Sequence, residues 1–243
     1  MLLHDRLQRA GAYLFKYRSY QFFIMGLILF EERPHFQYIT DSLLYELFCV
    51  GVAFCGVVIR TLTIAFVREG TSGRNTRTQK ACELNTTGAY SIVRNPLYVG
   101  NYLILLGVSL LAQNHEVVIL NSVIFISIYL PIILTEEAFL LDKFGAHYID
   151  YAKSVNCVIP SLKNFKRPDR KFNGKMVLKR EHDTWLTTIL SLIFVELLRE
   201  YGTKGRIELH TEWALLAFMV TSVWIALKYM KRTGWLRHSQ DQR

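Results

Sequence analysis

Two polar clusters interrupt the apolar runs of this chain, and both are built from residue types that bind small charged molecules. The first is Gly88-Ala89-Tyr90-Ser91-Ile92-Val93-Arg94-Asn95-Pro96-Leu97-Tyr98-Val99-Gly100. The second is Thr135-Glu136-Glu137, followed by Phe144-Gly145, Tyr148 and Tyr151. Arg94-Asn95-Pro96 reads as a helix start, because Asn is a favoured N-cap and the missing N–H of Pro has no intrahelical role in the first turn. A helix N-terminus beside an Arg suits a carboxylate or a phosphate. Gly88 and Gly100 let a backbone or a flat ring come close. One of Glu136 and Glu137 could hold an ammonium or a sulfonium, and Tyr90 or Tyr98 offers a ring face to a purine or, by cation–π attraction, to a sulfonium. Together these groups are what a zwitterionic amino acid bearing an adenosine requires. Taken singly they have plainer readings: Arg94 as a snorkelling residue at a capped helix, and the two acids as one solvent-facing and one snorkelling side chain.

The elements that position these clusters read as membrane helices. The chain has 243 residues, 51% of them hydrophobic and 20% charged. Its mean hydropathy of +0.18 averages over sharply segregated apolar and charged stretches. A helix needs about 20 mostly apolar residues to cross the hydrocarbon core. Six candidates are expected, at about Tyr17–Phe30, Leu43–Val67, Leu97–Ala112, Val117–Leu134, Trp185–Leu198 and Trp213–Tyr229. The expected fold is thus all-α, a polytopic integral membrane bundle forming one domain over 1–243. Within it, 1–87 holds the N-terminal spans and a loop, 88–160 the core with the two clusters, and 161–243 a basic connector plus two spans. Basic residues gather at the N-terminus, in Arg68–Arg94, in Lys143–Arg180 and in the tail, while the alternate connections are mixed or acidic. The positive-inside rule then puts both termini and both clusters on the cytoplasmic face.

The net charge of +9 implies anionic headgroups as partners rather than nucleic acid, since no nucleic-acid-binding motif accompanies it. Cysteines at 49, 55, 82 and 157 show neither disulfide-framework nor metal-site spacing. Oligomeric state is not legible. After Glu136, residues Leu140, Phe144, Tyr148 and Tyr151 recur at spacings of four, four and three, one apolar-aromatic face of a helix ended by Pro160. That helix reads as interfacial and as a lid over a bound cofactor. His147 on it reads as a surface residue. Lys163–Arg180 reads as a loop hugging headgroups, and the last two spans as an appended pair without chemistry of their own. Arg60, near the cytoplasmic end of the second span, reads as a snorkelling residue that could also reach an acceptor headgroup, and Asn101 looks into the bundle.

The pair Gly-x-Tyr-x-x-Val-Arg-Asn-Pro-x-Tyr-x-Gly at 88–100 and Glu-Glu-x-x-Leu-x-x-x-Phe-Gly-x-x-Tyr-x-x-Tyr at 136–151 resembles the isoprenylcysteine carboxyl methyltransferase and phospholipid methyltransferase superfamily. The likeness covers about Gly88–Pro160. It implies S-adenosylmethionine as methyl donor, held by Tyr90, Arg94, Asn95, Pro96, Tyr98, Gly100, Glu136 and Glu137. It also implies a lipidic acceptor entering laterally; Arg94, Glu136 and Glu137 are the candidate catalytic groups, Arg60, Asn101, Tyr148 and Tyr151 the candidate acceptor contacts, and no metal is expected. Many members carry His where this chain has Asn95, which cannot act as a titrating base near neutral pH. An acceptor that is already anionic, a lipid phosphate or a prenyl-cysteine carboxylate, needs only positioning, and the basic connector favours one. A phosphatidylethanolamine-type amine would instead need Glu136 or Glu137 as general base. The readings from other classes are an NADPH-dependent sterol-type reductase and a non-enzymatic membrane protein.

Overall fold

The structure is a computed structural model that describes residues 11, 13–14, 26, 28, 43–68, 81–206 and 211–235. The described residues hold six α-helices, here α1 (Leu43–Ala65), α2 (Pro96–Leu111), α3 (His115–Phe144), α4 (Ala146–Ser154), α5 (Gly174–Lys204) and α6 (Thr211–Arg232), and one 3-10 turn at Gly88–Ser91. The expected first span lies outside the described residues, apart from Gly26 and Ile28. Of the six expected spans, three described helices, α1, α3 and α6, are long and apolar enough to cross a membrane, and α2 is apolar but shorter. Large hydrophobics such as Leu44, Phe54, Val123, Leu130 and Phe218 stand exposed on their outer faces. These faces suit lipid, and the chain is an integral membrane protein.

Local chemistry sets the helix ends. The Asn114 side chain accepts from Glu116 N and Val117 N to start α3, and Asn173 accepts from Met176 N to start α5. Gly145 ends α3 at φ 53° and Gly205 ends α5 at φ 67°, positive values that glycine adopts without strain, and Gly205 is a left-handed cap. Two expectations are corrected here. The fourth span does not stop at Glu136-Glu137: α3 runs 30 residues, about 45 Å, and carries both acids well inside its length. The aromatic face of Leu140, Phe144, Tyr148 and Tyr151 is not one helix ending at Pro160, because Gly145 breaks it and α4 stops at Ser154. The four side chains still meet, in a cluster with Val155.

Packing centres on α1 and α2. A Cβ on Gly107 would lie 2.5 Å from Ala53 N, and one on Gly56 would lie 2.5 Å from Gly100 O. Glycine there lets two backbones touch, the usual device where lipid removes the hydrophobic drive for association. Helix α5 closes over this pair through Cys49, Val108, Leu111, Val195 and Leu198 at one end, and through Ile64, Ala65, Met176 and Val177 at the other. The expected headgroup loop Lys163–Arg180 is therefore corrected as well. Residues 174–180 are the opening turns of α5, docked where Asn173 N–H donates to the terminal carbonyl of Ala65 (2.9 Å).

Candidate active site

The first cluster is held by its own backbone and by a returning strap. Ser91 Oγ donates to Gly88 O (2.7 Å) and accepts from Lys166 N (2.9 Å), while Gly88 N donates to Lys166 O (2.9 Å). Arg94 N donates to Asn156 O (2.8 Å) and Ser161 N to Ile92 O (3.0 Å), so residues 156–166 lie along the motif. Gly88 takes φ +60°, which the tight turn requires. Tyr151 OH donates to Tyr90 O (2.7 Å), tying α4 to the same turn. Tyr148 and Tyr151 are both buried, in the inner cluster under α4, and His147 is exposed.

Arg94 and Glu137 form a two-point ion pair, Nε to Oε1 at 2.9 Å and Nη2 to Oε2 at 3.0 Å. Arg94 Nη1 donates to Ala152 O (3.0 Å) and Val155 O (2.7 Å). One guanidinium thus joins the motif loop to α3 and to the end of α4. Burial alone would weaken the Arg94 charge, but the Glu137 hydrogen bond and charge outweigh it and raise its pKa. Asn95 precedes α2 as expected, yet its side chain does not cap the helix. Its Nδ2 donates instead to Glu137 Oε1 (3.3 Å) and Cys157 O (3.2 Å). Donation from Nδ2 fixes the orientation of the amide, and Oδ1 accepts from none of the first-turn N–H groups. The Cys157 thiol donates to Glu137 Oε1 (3.3 Å), and burial, with the Glu137 charge second, pushes it up to about 11. Burial first and then Glu137 also raise the Tyr148 phenol.

The second acid acts on Tyr90. Glu136 is half-buried and raises the Tyr90 phenol by its charge, secondary to burial, while Arg180 and Arg60 act in the opposite sense. Tyr90 packs on Ile64, Met176 and Val177, with Leu97 and Trp185 alongside. Glu136 on α3, Arg60 on α1 and Arg180 on α5 thus all act by their charge on Tyr90. Tyr98 turns toward α3, 5.0 Å from the Tyr129 ring, which stacks on Phe125 at 4.1 Å. Gly100 opens onto α1 rather than onto a ring, since a Cβ there would lie 2.6 Å from Arg60 Cγ. A cleft of about 450 Å³ outside Tyr151, lined by Thr86, Ser154 and Lys166 among others, includes none of these acids.

Sequence reasoning singled out neither Cys157 nor Glu181. Arg60 is not a snorkelling residue: its side chain is 12% exposed and is paired with Glu181, 2% exposed, at 2.7 Å. That pairing also ties the first of the last two spans to α1. Helix α5 reads as charged because it carries Glu181, Glu196 and Arg199, yet these face protein partners, with Arg199 bonded to Glu46 (2.6 Å). A charge engaged in this way no longer marks a helix as water-exposed.

With this geometry in view, comparison with known proteins is specific. A family model described as phospholipid methyltransferase matches residues 45–147. A protein-S-isoprenylcysteine O-methyltransferase from Schizosaccharomyces pombe is 38% identical over 79 residues, 32% of this chain and 34% of that protein. The nickel-cobalt-cadmium resistance protein NccN of Alcaligenes xylosoxydans xylosoxydans is 30% identical over 115 residues, 47% of this chain and 51% of that one. The cobalt-zinc-cadmium resistance protein CzcN of Cupriavidus metallidurans is 33% identical over 95 residues, 39% and 41% respectively. The chain spans about a third to a half of the length of the curated relatives it matches. No solved structure matches. The family match begins well before the motif pair and takes in α1 with Arg60, but it stops before α5. Over residues 45–147 the chain is thus similar to the phospholipid methyltransferase family, and over part of its length to an isoprenylcysteine O-methyltransferase.

Proposed function

We propose that this protein is an integral membrane methyltransferase that uses S-adenosylmethionine and acts on a lipidic acceptor, most favourably an anionic oxygen of a lipid phosphate or a prenyl-cysteine carboxylate. The observation that carries the reading is the Arg94–Glu137 bridge, which joins the two sequence motifs inside a segment matching a methyltransferase family; the charges of Glu136 and Arg180 both act on the Tyr90 phenol. The residues fit the cofactor by division of labour. Arg94 and Glu137 neutralise each other and hold the motif loop on α3. Glu136 supplies a carboxylate for an α-ammonium, Arg180 a guanidinium for a carboxylate, and Tyr90 a half-buried ring for the adenine. When bound, the cofactor supplies an electrophilic methyl group on a sulfonium.

The tasks left to the chain are alignment and exclusion of water. An anionic acceptor oxygen forms its new bond to carbon with its own lone pair and sheds no proton, so Asn95 in place of His costs such a reaction nothing. An amine acceptor must lose a proton first, and Glu136 is then the group that would take it. The basic segments around the site support a cytoplasmic placement for this face.

Detergent-solubilised protein given methyl-labelled S-adenosylmethionine and a total lipid extract tests the reading. Label in the lipid phase, abolished in Glu136→Gln, is the expected result. Failure of the wild-type protein to bind the labelled cofactor would end the proposal.

A further inference from the structure

Arg60 and Glu181 form an internal ion pair that bridges the family-matched segment and a helix outside it. Arg60 Nε donates to Glu181 Oε2 (2.9 Å) and Nη2 to Oε1 (2.7 Å). Nη2 also reaches Thr184 Oγ1 (3.4 Å), and Nη1 donates to Asn101 Oδ1 (2.6 Å) and Leu97 O (3.5 Å). All five N–H groups of the guanidinium are thereby directed. Asn101 in turn donates through Nδ2 to Tyr129 OH (3.3 Å). The result is a polar string from α5 through α1 and α2 to α3.

Fold stability alone is a weak reason for such a string. The desolvation of a buried pair offsets most of its attraction, and an apolar pair of like volume would hold the helices as well. Ionisable groups kept inside a membrane bundle mark functional positions. The location points the same way. Asn101 lies three residues after Tyr98 on the motif helix, and Gly100 between them lacks the Cβ that would strike Arg60. The backbone of α2 is shaped to let this guanidinium through to Asn101. Arg60 also lies close enough to Tyr90 for its charge to act on the phenol, so the string adjoins the proposed cofactor chamber.

We propose that Glu181 is a positioning residue for the acceptor: it clamps Arg60 so that Nη1 holds Asn101, and the Asn101 amide then orients the acceptor headgroup beside the Tyr98–Tyr129 ring pair. This rests on the methyltransferase reading. Glu181 cancels the Arg60 charge, so the headgroup is engaged here through hydrogen bonds from an amide N–H to its oxygens, not through net positive charge. Acceptor choice is then set in part by α5, which the family segment does not contain.

Full-length protein in mixed micelles, labelled S-adenosylmethionine, and three acceptor probes (N-acetyl-S-farnesylcysteine, dioleoyl phosphatidic acid and dioleoyl phosphatidylethanolamine) test the assignment. Glu181→Gln is expected to raise KM for the accepted probe about tenfold, less than the roughly hundredfold that a misplacement of about 1 Å can cost a positioned site. KM for the cofactor should stay within about twofold. Since Glu181→Gln strands a buried guanidinium and can fail to fold, Arg60→Gln/Glu181→Gln is the companion variant. It is expected to recover thermal stability while keeping the raised acceptor KM. Recovery of both would make the pair purely structural and overturn the assignment, as would equal rises in the two KM values. Label transfer by wild type with acceptor KM unmoved in both variants would sink this inference alone. No transfer by wild type to any probe would refute the methyltransferase reading and take this one with it.

Discussion

Removing the Arg94 guanidinium while Glu137 stays in place should be among the most damaging single changes at the site. Arg94→Met deletes two bonds to the Glu137 carboxylate and two to the carbonyls of Ala152 and Val155. Glu137 would keep only Asn95 and Cys157, both at 3.3 Å. Stranding one member of a buried ion pair costs about 3–5 kcal/mol. The side chains of Arg94 and Glu137 are 15% and 20% exposed, so water can reach part of the orphaned charge. The lower end, about 3 kcal/mol, is therefore the expected loss. For a chain of this size about 2–4 °C of melting temperature accompanies each kcal/mol, which gives a drop of about 6–12 °C. The double variant Arg94→Met/Glu137→Met leaves no buried charge and should recover most of it. Thermal unfolding of the detergent-solubilised variants, followed by tryptophan fluorescence, reads both. A single variant melting within about 2 °C of wild type, or a double variant less stable than the single, would refute the view that this pair closes the motif loop onto α3.

Cys157 offers a pH test. Its thiol stays protonated to about 11 in the fold, against 9.0 ordinarily, so the unfolded chain ionises first and stability should fall as pH rises from 9 to about 11. Cys157→Ser should flatten that fall in melts taken across the range, and an unchanged slope would count against the burial assigned to the thiol. In a background keeping only Cys157, alkylation at pH 8.5 should be slow and should quicken in Glu137→Gln, because the carboxylate is the second cause of the raised pKa. At the α1–α2 contact, Gly107→Val places a Cβ 2.5 Å from Ala53 N and 2.6 Å from Cys49 O, where only backbone could yield. The expected loss is about 3 kcal/mol, read from the same melts, and wild-type stability would show that the two helices are not in close contact there.

The start of α2 was legible because Asn95 and Pro96 act through the backbone, and backbone preferences are local. What Asn95 does with its side chain was not, since that depends on a carboxylate 42 positions away. The span ending at Leu134 was misjudged for a related reason. Hydropathy stops where lipid stops, but Glu136 to Phe144 are good helix formers, and nothing breaks the backbone before Gly145. Helix α5 was cut short at both ends because its acids and arginines looked like solvent contacts. Glu181 is bonded to Arg60 and Arg199 to Glu46, both on α1.

From sequence alone followed an all-helical membrane chain, a motif pair at 88–100 and 136–151, and a superfamily likeness. The first rests on composition and periodicity, the second on short spacing, and the third is a resemblance carried by the motif residues themselves. Which charges cancel one another belonged to the tertiary structure. Arg94 meets Glu137 across 43 positions and Arg60 meets Glu181 across 121, and such encounters depend on which helix faces the glycines of α1 and α2 bring together. An arginine in a motif reads as a ligand-binding group until its carboxylate partner is located. Here both arginines are engaged by acids of the chain itself, Arg94 by Glu137 and Arg60 by Glu181. The physical reason is that an ion inside a membrane bundle must find a counter-charge wherever the fold supplies one, and the distance along the chain to that counter-charge carries no local signature.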